Sequence, residues 1–286
     1  MITVSAPASS ANLGPGFDVL ALALEIRCQV TVSESGDWAL RSNGGPADEA
    51  AMALVRSAAE EAAPGSGPYA VDIVSDIPIA RGLGSSAALI VAVAGAVRAA
   101  TGGSIDTEEV CLVAAAVEGH PDNVAAAAFG GAVMVSPSGL VRQIAMHPSL
   151  HPVVAVPHAH LSTRAAREAL AAEVPLAVAA RTAARIAFLL EGLRTGDAAV
   201  LAEAAGDELH EARRAALSPV TGSLMTAARD AGAVHTAWSG AGPSVLALVT
   251  DDRRDAVRSA LTETLGNAGE IVEPEIAHTG FQVEAS

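Results

Sequence analysis

Apolar and polar positions alternate along some short stretches of the chain and cluster along others, and the two periods separate strands from helices. Residues 69–77 set Val71, Ile73 and Ile77 against Asp72, Ser75 and Asp76, the two-residue period of a half-buried strand. Residues 87–100 are a run of Ala, Leu, Ile and Val that suits a buried helix. The stretch between them, Pro78-Ile-Ala-Arg-Gly-Leu-Gly-Ser-Ser-Ala-Ala88, therefore reads as a glycine loop opening a helix. The same patterns predict strands over 2–4, 26–32, 38–43, 143–145, 153–156, 234–238, 245–249 and 271–280, and a turn into a strand over 129–135. They predict helices over 49–63, 108–117 (capped by Asp106 or Thr107), 163–172, 175–193, 197–217, 221–230 and 251–265. Residues 6–18 read as a polar, glycine-punctuated loop and 20–24 as an apolar turn. Strands alternating with helices across two halves predict a two-domain α/β or α+β architecture, and 286 residues are enough to bury one large core or two ordinary ones.

Charge and composition narrow the function classes. A net charge of −15 speaks against nucleic acid, which needs a basic face, and against an anionic membrane surface. Residues 123–141, among the longest uncharged stretches, are broken by Gly130, Gly131, Pro137 and Gly139 and make a poor membrane span. The two cysteines, Cys28 and Cys111, lie in apolar company and suit a reducing cytoplasm, and residues 1–11 lack the pattern of a signal peptide. The chain contains no lysine, so the glycine loop is not the Lys-containing phosphate loop, and Schiff-base chemistry is excluded. Phosphate charge must then be met by backbone dipoles, arginine or a metal ion.

Three stretches could carry chemistry. The glycine loop presents unpaired N–H groups and the positive end of a helix dipole, which suits a phosphate; a serine N-cap is the plainer reading. Glu118-Gly-His-Pro-Asp-Asn123 gathers Glu118, His120, Asp122 and Asn123 within six residues at the end of a predicted helix. A carboxylate there could hold Mg²⁺ whose remaining ligands are phosphate oxygens, against the plainer reading of a solvated polar turn. Ser9, Ser10, Asn12 and Asp18 concentrate between two apolar elements, either to bind or only to satisfy a turn. No paired Cys/His spacing supports zinc, and His147, His151, His158 and His160 read as structural. The small-residue turn Ser239-Gly-Ala-Gly-Pro-Ser244 either permits tight packing or brings backbone up to the glycine loop.

Residues 7–18, 78–88 and 239–245 resemble the three motifs of the GHMP kinases, the small-molecule kinases acting on galactose, homoserine, mevalonate and phosphomevalonate. Ala8-Ser-Ser-Ala-Asn-Leu-Gly-Pro-Gly-Phe-Asp18, Glu118-Gly-His-Pro-Asp-Asn-Val124 with Gly130-Gly131, Ser162-Thr163 with Arg167, and Leu209-His210-Glu211 with Arg214 are similar to the branch that phosphorylates L-homoserine. The resemblance spans nearly the whole chain. It implies an α+β two-domain fold: an N-terminal ATP-binding domain over 1–150 like ribosomal protein S5 domain 2, and a ferredoxin-like C-terminal domain over 151–286. The implied reaction is ATP plus L-homoserine giving O-phospho-L-homoserine and ADP, toward threonine, in a cytoplasmic enzyme; a homodimer is allowed.

By position, the resemblance implies that Pro78, Arg81, Gly82, Leu83, Gly84, Ser85, Ser86, Ala87 and Ala88 bind ATP, and that Ser86 or its neighbour Ser85, with Glu118, holds Mg²⁺. Asn12, Asp18, His120 and Asn123 would line the homoserine end, and Arg167 and Arg214 would take the α-carboxylate. Asp122 is a candidate base, the alternative being that the hydroxyl passes its proton to the phosphate and no base is used. Ala126 stands where the family often has proline, and Ala212-Arg213 where it has Pro-Tyr, which leaves Arg213 and Arg214 as alternatives for the second arginine. The competing readings are another kinase of the family and a non-catalytic nucleotide-binding module.

Overall fold

A computed structural model describes residues 1–284. The first half contains β1 (Ile2–Ala11), β2 (Leu20–Glu34), β3 (Ala39–Ser42), β4 (Gly45–Pro46), α1 (Glu49–Ala62), β5 (Tyr69–Ser75), α2 (Ser85–Ala100), α3 (Thr107–Glu118), α4 (Pro121–Phe129), β6 (Ala132–Val135) and β7 (Val141–Ile144). The second contains β8 (His151–Pro157), α5 (Thr163–Glu168), α6 (Leu176–Thr195), α7 (Ala198–Glu203), α8 (Glu211–Arg214), α9 (Pro219–Asp230), β9 (His235–Trp238), β10 (Val245–Val249), α10 (Asp251–Leu265), β11 (Gly269–Val272) and β12 (Gln282–Glu284).

Two sheets organise these elements. The larger runs β12-β1-β2-β5-β3-β4, with β6 and β7 continuing from the first turn of β2. Along β2, Cys28, Val30 and Val32 point into the core while Gln29 and Thr31 are half-buried, the alternation expected of a strand with one covered face. Helix α2 lies across β1 and β2 and is surrounded by α1, α3 and α4. That position explains its composition: from Ala87 to Val97 nearly every residue is buried, and alanines with Gly95 let the backbones approach closely. The smaller sheet, β11-β8-β10-β9, is antiparallel and carries α9 and α10, with Leu224, Met225, Trp238, Val257 and Leu261 as its own core. The architecture is thus α+β with two sheets, as the resemblance implies.

Four local expectations are corrected. The strand predicted over 2–4 runs to Ala11, so half of the expected loop 6–18 is sheet; Ser9 and Ser10 are fully buried, and Pro7, which lacks an N–H, sits where the β1–β2 register shifts. The apolar turn at 20–24 and the strand at 26–32 are one continuous strand. The helix predicted over 197–217 breaks into α7 and α8, because Gly206 takes φ +82° and the Asp207 carboxylate accepts the N–H groups of His210 and Glu211. The strand predicted over 271–280 stops at Val272. The chain then returns to the first sheet, where β12 pairs with β1. A cut at residue 150 falls just before β8, yet the tail belongs spatially with the first half.

Candidate active site

The glycine loop sits between the two sheets. Ala80, Gly82 and Gly84 take φ of +56°, +76° and +66°, and Gly84 is the N-cap of α2. Contact within the protein dictates glycine at two of these positions. A methyl on Gly82 would overlap the Ser239 carbonyl, and one on Gly84 would overlap the Ser9 hydroxyl. Ser239 Oγ donates to the Gly82 carbonyl at 2.7 Å, so the small-residue turn at 239–242 does come up against this loop. Pinned from both sides, the loop aims the N–H groups of Ser85, Ser86 and Ala87, which have no intrahelical acceptor, with the positive end of the α2 dipole behind them.

Of the residues that the resemblance gives to the nucleotide, Arg81 and Ala88 make other contacts and Ala87 offers only its backbone. Arg81 turns toward the second sheet, donating to the carbonyls of Pro157 (3.0 Å), Ile79 (2.8 Å) and His158 (3.0 Å). Ala88 is buried in the core and its N–H bonds the Gly84 carbonyl at 2.9 Å. The Ala87 side chain is buried too, which leaves only its N–H for a ligand. The placement also sets an expected outcome. Gly84→Ala should lower the thermal midpoint and weaken ATP affinity together, since the methyl displaces Ser9 and tilts the helix start. Calorimetry with a non-hydrolysable ATP analogue checks this, and unchanged affinity would take the phosphates elsewhere.

Glu118 ends α3, and Gly119 at φ +72° turns the chain into α4, which starts with Pro121 at its first position. A carboxylate in the last turn of a helix faces the negative end of the dipole, so Glu118 is poorly placed for helix stability alone. Its Oε2 accepts from Ser86 Oγ at 2.6 Å across the mouth of α2. His120 Nδ1 lies 3.7 Å from Glu118 Oε1, and His120 Nε2 accepts from Arg167 Nε at 2.9 Å. The carboxylate raises the imidazole pKa, while the arginine N–H on Nε2 favours the neutral ring with its proton on Nδ1. Asp122 is 2% exposed; burial pushes its carboxyl up to about 6, although Oδ1 accepts the Asn123 N–H at 2.8 Å. Asn123 Oδ1 accepts from Ser9 Oγ at 2.9 Å, so β1, α4 and the glycine loop meet at one point. The polar turn at 118–123 is therefore built inward.

The third group lies opposite. Arg167 on α5 clamps the Asp18 carboxylate through Nη1 (3.2 Å) and Nη2 (2.7 Å). Arg214, 2% exposed, donates Nε to Ala166 O (3.2 Å) and Nη1 to Gly240 O (3.0 Å) and His210 Nδ1 (3.2 Å). Its Nη2 has no protein partner among the described residues. Burial and the nearby Arg167 charge lower the Arg214 pKa. Arg213 is exposed and lies outside the cavity, so Arg214 is the arginine of the pair that faces the site. Both guanidiniums stand over the Phe17 ring, 5.5 and 5.6 Å from its centroid, which holds two like charges close together. Asn12 reaches the same place, with Nδ2 on Gly240 O (3.0 Å) and Oδ1 accepting the Asp18 N–H (3.2 Å).

These groups share one cavity of about 400 Å³. Its lining also includes Ala50, Ala51 and Leu54 of α1 with Ile79 and Leu89, apolar surface suited to a flat heterocycle. Sequence reading missed this surface, since those residues carry the period of any core-facing helix. It also missed Phe17, which only the fold sets beside two arginines. Among the described residues no three His, Cys, Asp or Glu side chains gather as a metal cluster. One carboxylate and one hydroxyl beside an anion-binding helix end fit Mg²⁺, a hard cation that takes oxygen ligands and draws most of its shell from phosphates and water.

The family models for the GHMP kinases N terminal domain and the GHMP kinases C terminal domain match residues 40–131 and 189–267. Homoserine kinase of Gloeobacter violaceus is 40% identical over 278 residues, 93% of each chain, and that of Desulfitobacterium hafniense 36% over 282 residues, 94% of each. The crystal structure of homoserine kinase from Cytophaga hutchinsonii superposes with a TM-score of 0.87 at 26% identity, covering 99% of this chain and 97% of that one. Streptococcus pneumoniae phosphomevalonate kinase shares the fold, with a TM-score of 0.74 at 17% identity over 96% of this chain and all of its own. With its three motifs gathered around one cavity, this chain belongs to the GHMP kinases and, within them, to the homoserine kinase family.

Proposed function

We propose that the enzyme transfers the γ-phosphoryl group of ATP to the hydroxyl of L-homoserine. The observation that carries this substrate is the pairing at one end of the cavity: two guanidiniums converging on Phe17 beside the Asp18 carboxylate. An α-amino acid presents the opposite charges on two groups borne by one carbon. Its carboxylate suits the planar forks of Arg167 and Arg214, and its ammonium suits Asp18 and the Asn12 amide oxygen. A sugar or a mevalonate-like acid lacks the ammonium and would bring Asp18 no cation beyond Arg167.

At the other end, the apolar surface takes the adenine and the N–H groups of Ser85, Ser86 and Ala87 take the phosphates. Glu118 and Ser86 are the residues that would hold Mg²⁺, which when bound neutralises charge on the β- and γ-phosphates. The homoserine hydroxyl oxygen bonds the γ-phosphorus as the bond to the β-bridging oxygen breaks, and ADP leaves. Such transfer has a loose transition state, so positioning and charge stabilisation do most of the work. Asn123 and His120 line the path between the two ends. The resemblance carries this reading on to a cytoplasmic enzyme and allows a homodimer, which sedimentation equilibrium would measure. No described helix is long and apolar enough to cross a membrane.

On this reading Asp122, a buried carboxylate that lines the cavity, accepts the hydroxyl proton. With its pKa at about 6, it is charged above that pH and protonated below it. The expected result is a fall in kcat/KM as pH drops through about 6. The stability effect has the opposite sign. A carboxyl whose folded pKa lies above its unfolded value binds its proton more tightly when folded, so Asp122 adds stability as pH falls from above 6 toward 4. Glu211, which burial pushes up to about 7, acts in the same direction. A pH series of kcat/KM and thermal midpoint between 5 and 8 checks both. Asp122→Asn should keep or raise the midpoint while lowering turnover; a flat profile with full Asp122→Asn turnover would send the proton to the phosphate instead.

A further inference from the structure

The segment carrying Asn12 and Asp18 adopts a backbone that its sequence disfavours. Asn12, Leu13 and Gly14 take successive φ of +73°, +49° and +83°, and Asp18 takes +56°. Only one of these four is glycine, and Leu13 is a bulky residue in the left-handed region. Something outside the segment must hold it, and two imidazoles from the second half of the chain bond its backbone. His235, on β9, lies with Nε2 3.0 Å from the Leu13 carbonyl. His210, just before α8, lies with Nε2 2.9 Å from the Gly14 carbonyl. A carbonyl only accepts, so both rings carry their proton on Nε2. Burial lowers both pKa values and keeps the rings neutral.

Stability alone does not account for His235. It is 3% exposed, and its Nδ1 has no protein partner among the described residues. A buried ring with half its hydrogen-bonding capacity unmet carries a desolvation cost, set against the one bond it gives the Leu13 carbonyl. His210 does more than bond the loop. Its Nδ1 accepts from Arg214 Nη1 at 3.2 Å, and its ring lies 5.3 Å from that of Phe17. One imidazole thereby ties the loop to the arginine that stands over its Phe17.

We propose that His235 and His210 are positioning residues that clamp the backbone at Leu13 and Gly14, and so fix where Asn12 and Asp18 meet the substrate. This rests on the reading that those two side chains face homoserine. Neither histidine touches the nucleotide end, so releasing the clamp acts on one substrate only. His235 is the cleaner probe, because His210 also supports Arg214.

The test measures KM for homoserine and for ATP, with thermal midpoints, in His235→Leu, His235→Gln and His235→Asn. In His235→Leu the homoserine KM is expected to rise about tenfold or more, since small misplacements of binding groups cost one to two orders of magnitude. The ATP KM should stay within about twofold even where the midpoint falls because the variant leaves the Leu13 carbonyl without its donor. Gln, whose amide nitrogen sits near the Nε2 position, should restore most of the homoserine KM; Asn, whose amide falls short, should not. If His235→Leu does not fold, the Gln and Asn pair carries the test, and equal homoserine KM values in the two would overturn the proposal. So would a homoserine KM that stays put, or one that rises in step with the ATP KM. Asp18→Asn runs in parallel. A normal homoserine KM in that variant means the site reading is wrong, whereas a raised one with an unmoved His235→Leu means only the clamp is wrong.

Discussion

Glu118→Gln should leave a folded protein with several hundredfold less turnover. The substitution keeps size and an acceptor for Ser86 Oγ, now 2.6 Å from Glu118 Oε2, and removes only the charge. A group that stabilises charge on the transferring phosphoryl typically contributes about 3–4 kcal/mol in the transition state, and Glu118 would do so by holding Mg²⁺. Removing the charge from the last turn of α3 should not hurt the helix, because a carboxylate there opposes the dipole. Stability and catalysis therefore separate cleanly at this residue. Turnover measured across an Mg²⁺ titration, beside the thermal midpoint, gives the outcome. Near wild-type turnover at saturating Mg²⁺ would retire Glu118 as the metal ligand.

Arg167→Ala is expected to lower kcat/KM for homoserine by about thirtyfold or more, and to do so through the carboxylate. Breaking a desolvated arginine–carboxylate pair costs roughly 2–5 kcal/mol, and each 1.4 kcal/mol is tenfold. 3-Aminopropan-1-ol lacks only the α-carboxylate, so its weak phosphorylation should barely change. Arg167 and Asp18 are each 38% exposed at the side chain, so the pair itself adds little to stability and the fold should survive. Arg214 differs. It is buried and holds Ala166 O, Gly240 O and His210 in place, so Arg214→Ala should lose stability along with homoserine affinity. Equal losses on both alcohols in Arg167→Ala would make Arg167 a support for the fold or the nucleotide.

Much of this was legible in the sequence where chemistry is local. The strand–loop–helix at 69–100 follows from period and glycine spacing, and the Asp106 cap of α3 from a single side chain, which accepts the N–H groups of Glu108 and Glu109. The dense polar run at 118–123 announced itself in the same way. What failed depends on contacts far apart in sequence. Ser9 and Ser10 look like loop residues until β2 and the glycine loop enclose them. The break between α7 and α8 turns on one buried carboxylate, Asp207, folding back on the next turn of backbone. The resemblance gives Arg81 to ATP by its place in the loop; only the fold shows its guanidinium bound to carbonyls at the end of β8. Glycine in such a loop suggests close approach of a ligand; what approaches Gly82 and Gly84 is protein, Ser239 and Ser9, and the exposed N–H groups at the start of α2 follow from that packing.

The measurement that bears most directly on the substrate is ADP release by the wild-type enzyme, compared across L-homoserine, 3-aminopropan-1-ol, L-serine, mevalonate and galactose at saturating ATP and Mg²⁺. A site built around Asp18, Arg167 and Arg214 should turn over L-homoserine at least about thirtyfold more efficiently than 3-aminopropan-1-ol, the margin of one desolvated carboxylate contact. It should leave mevalonate and galactose near background. Equal rates on homoserine and the amino alcohol, or a preference for mevalonate or galactose, would contradict it.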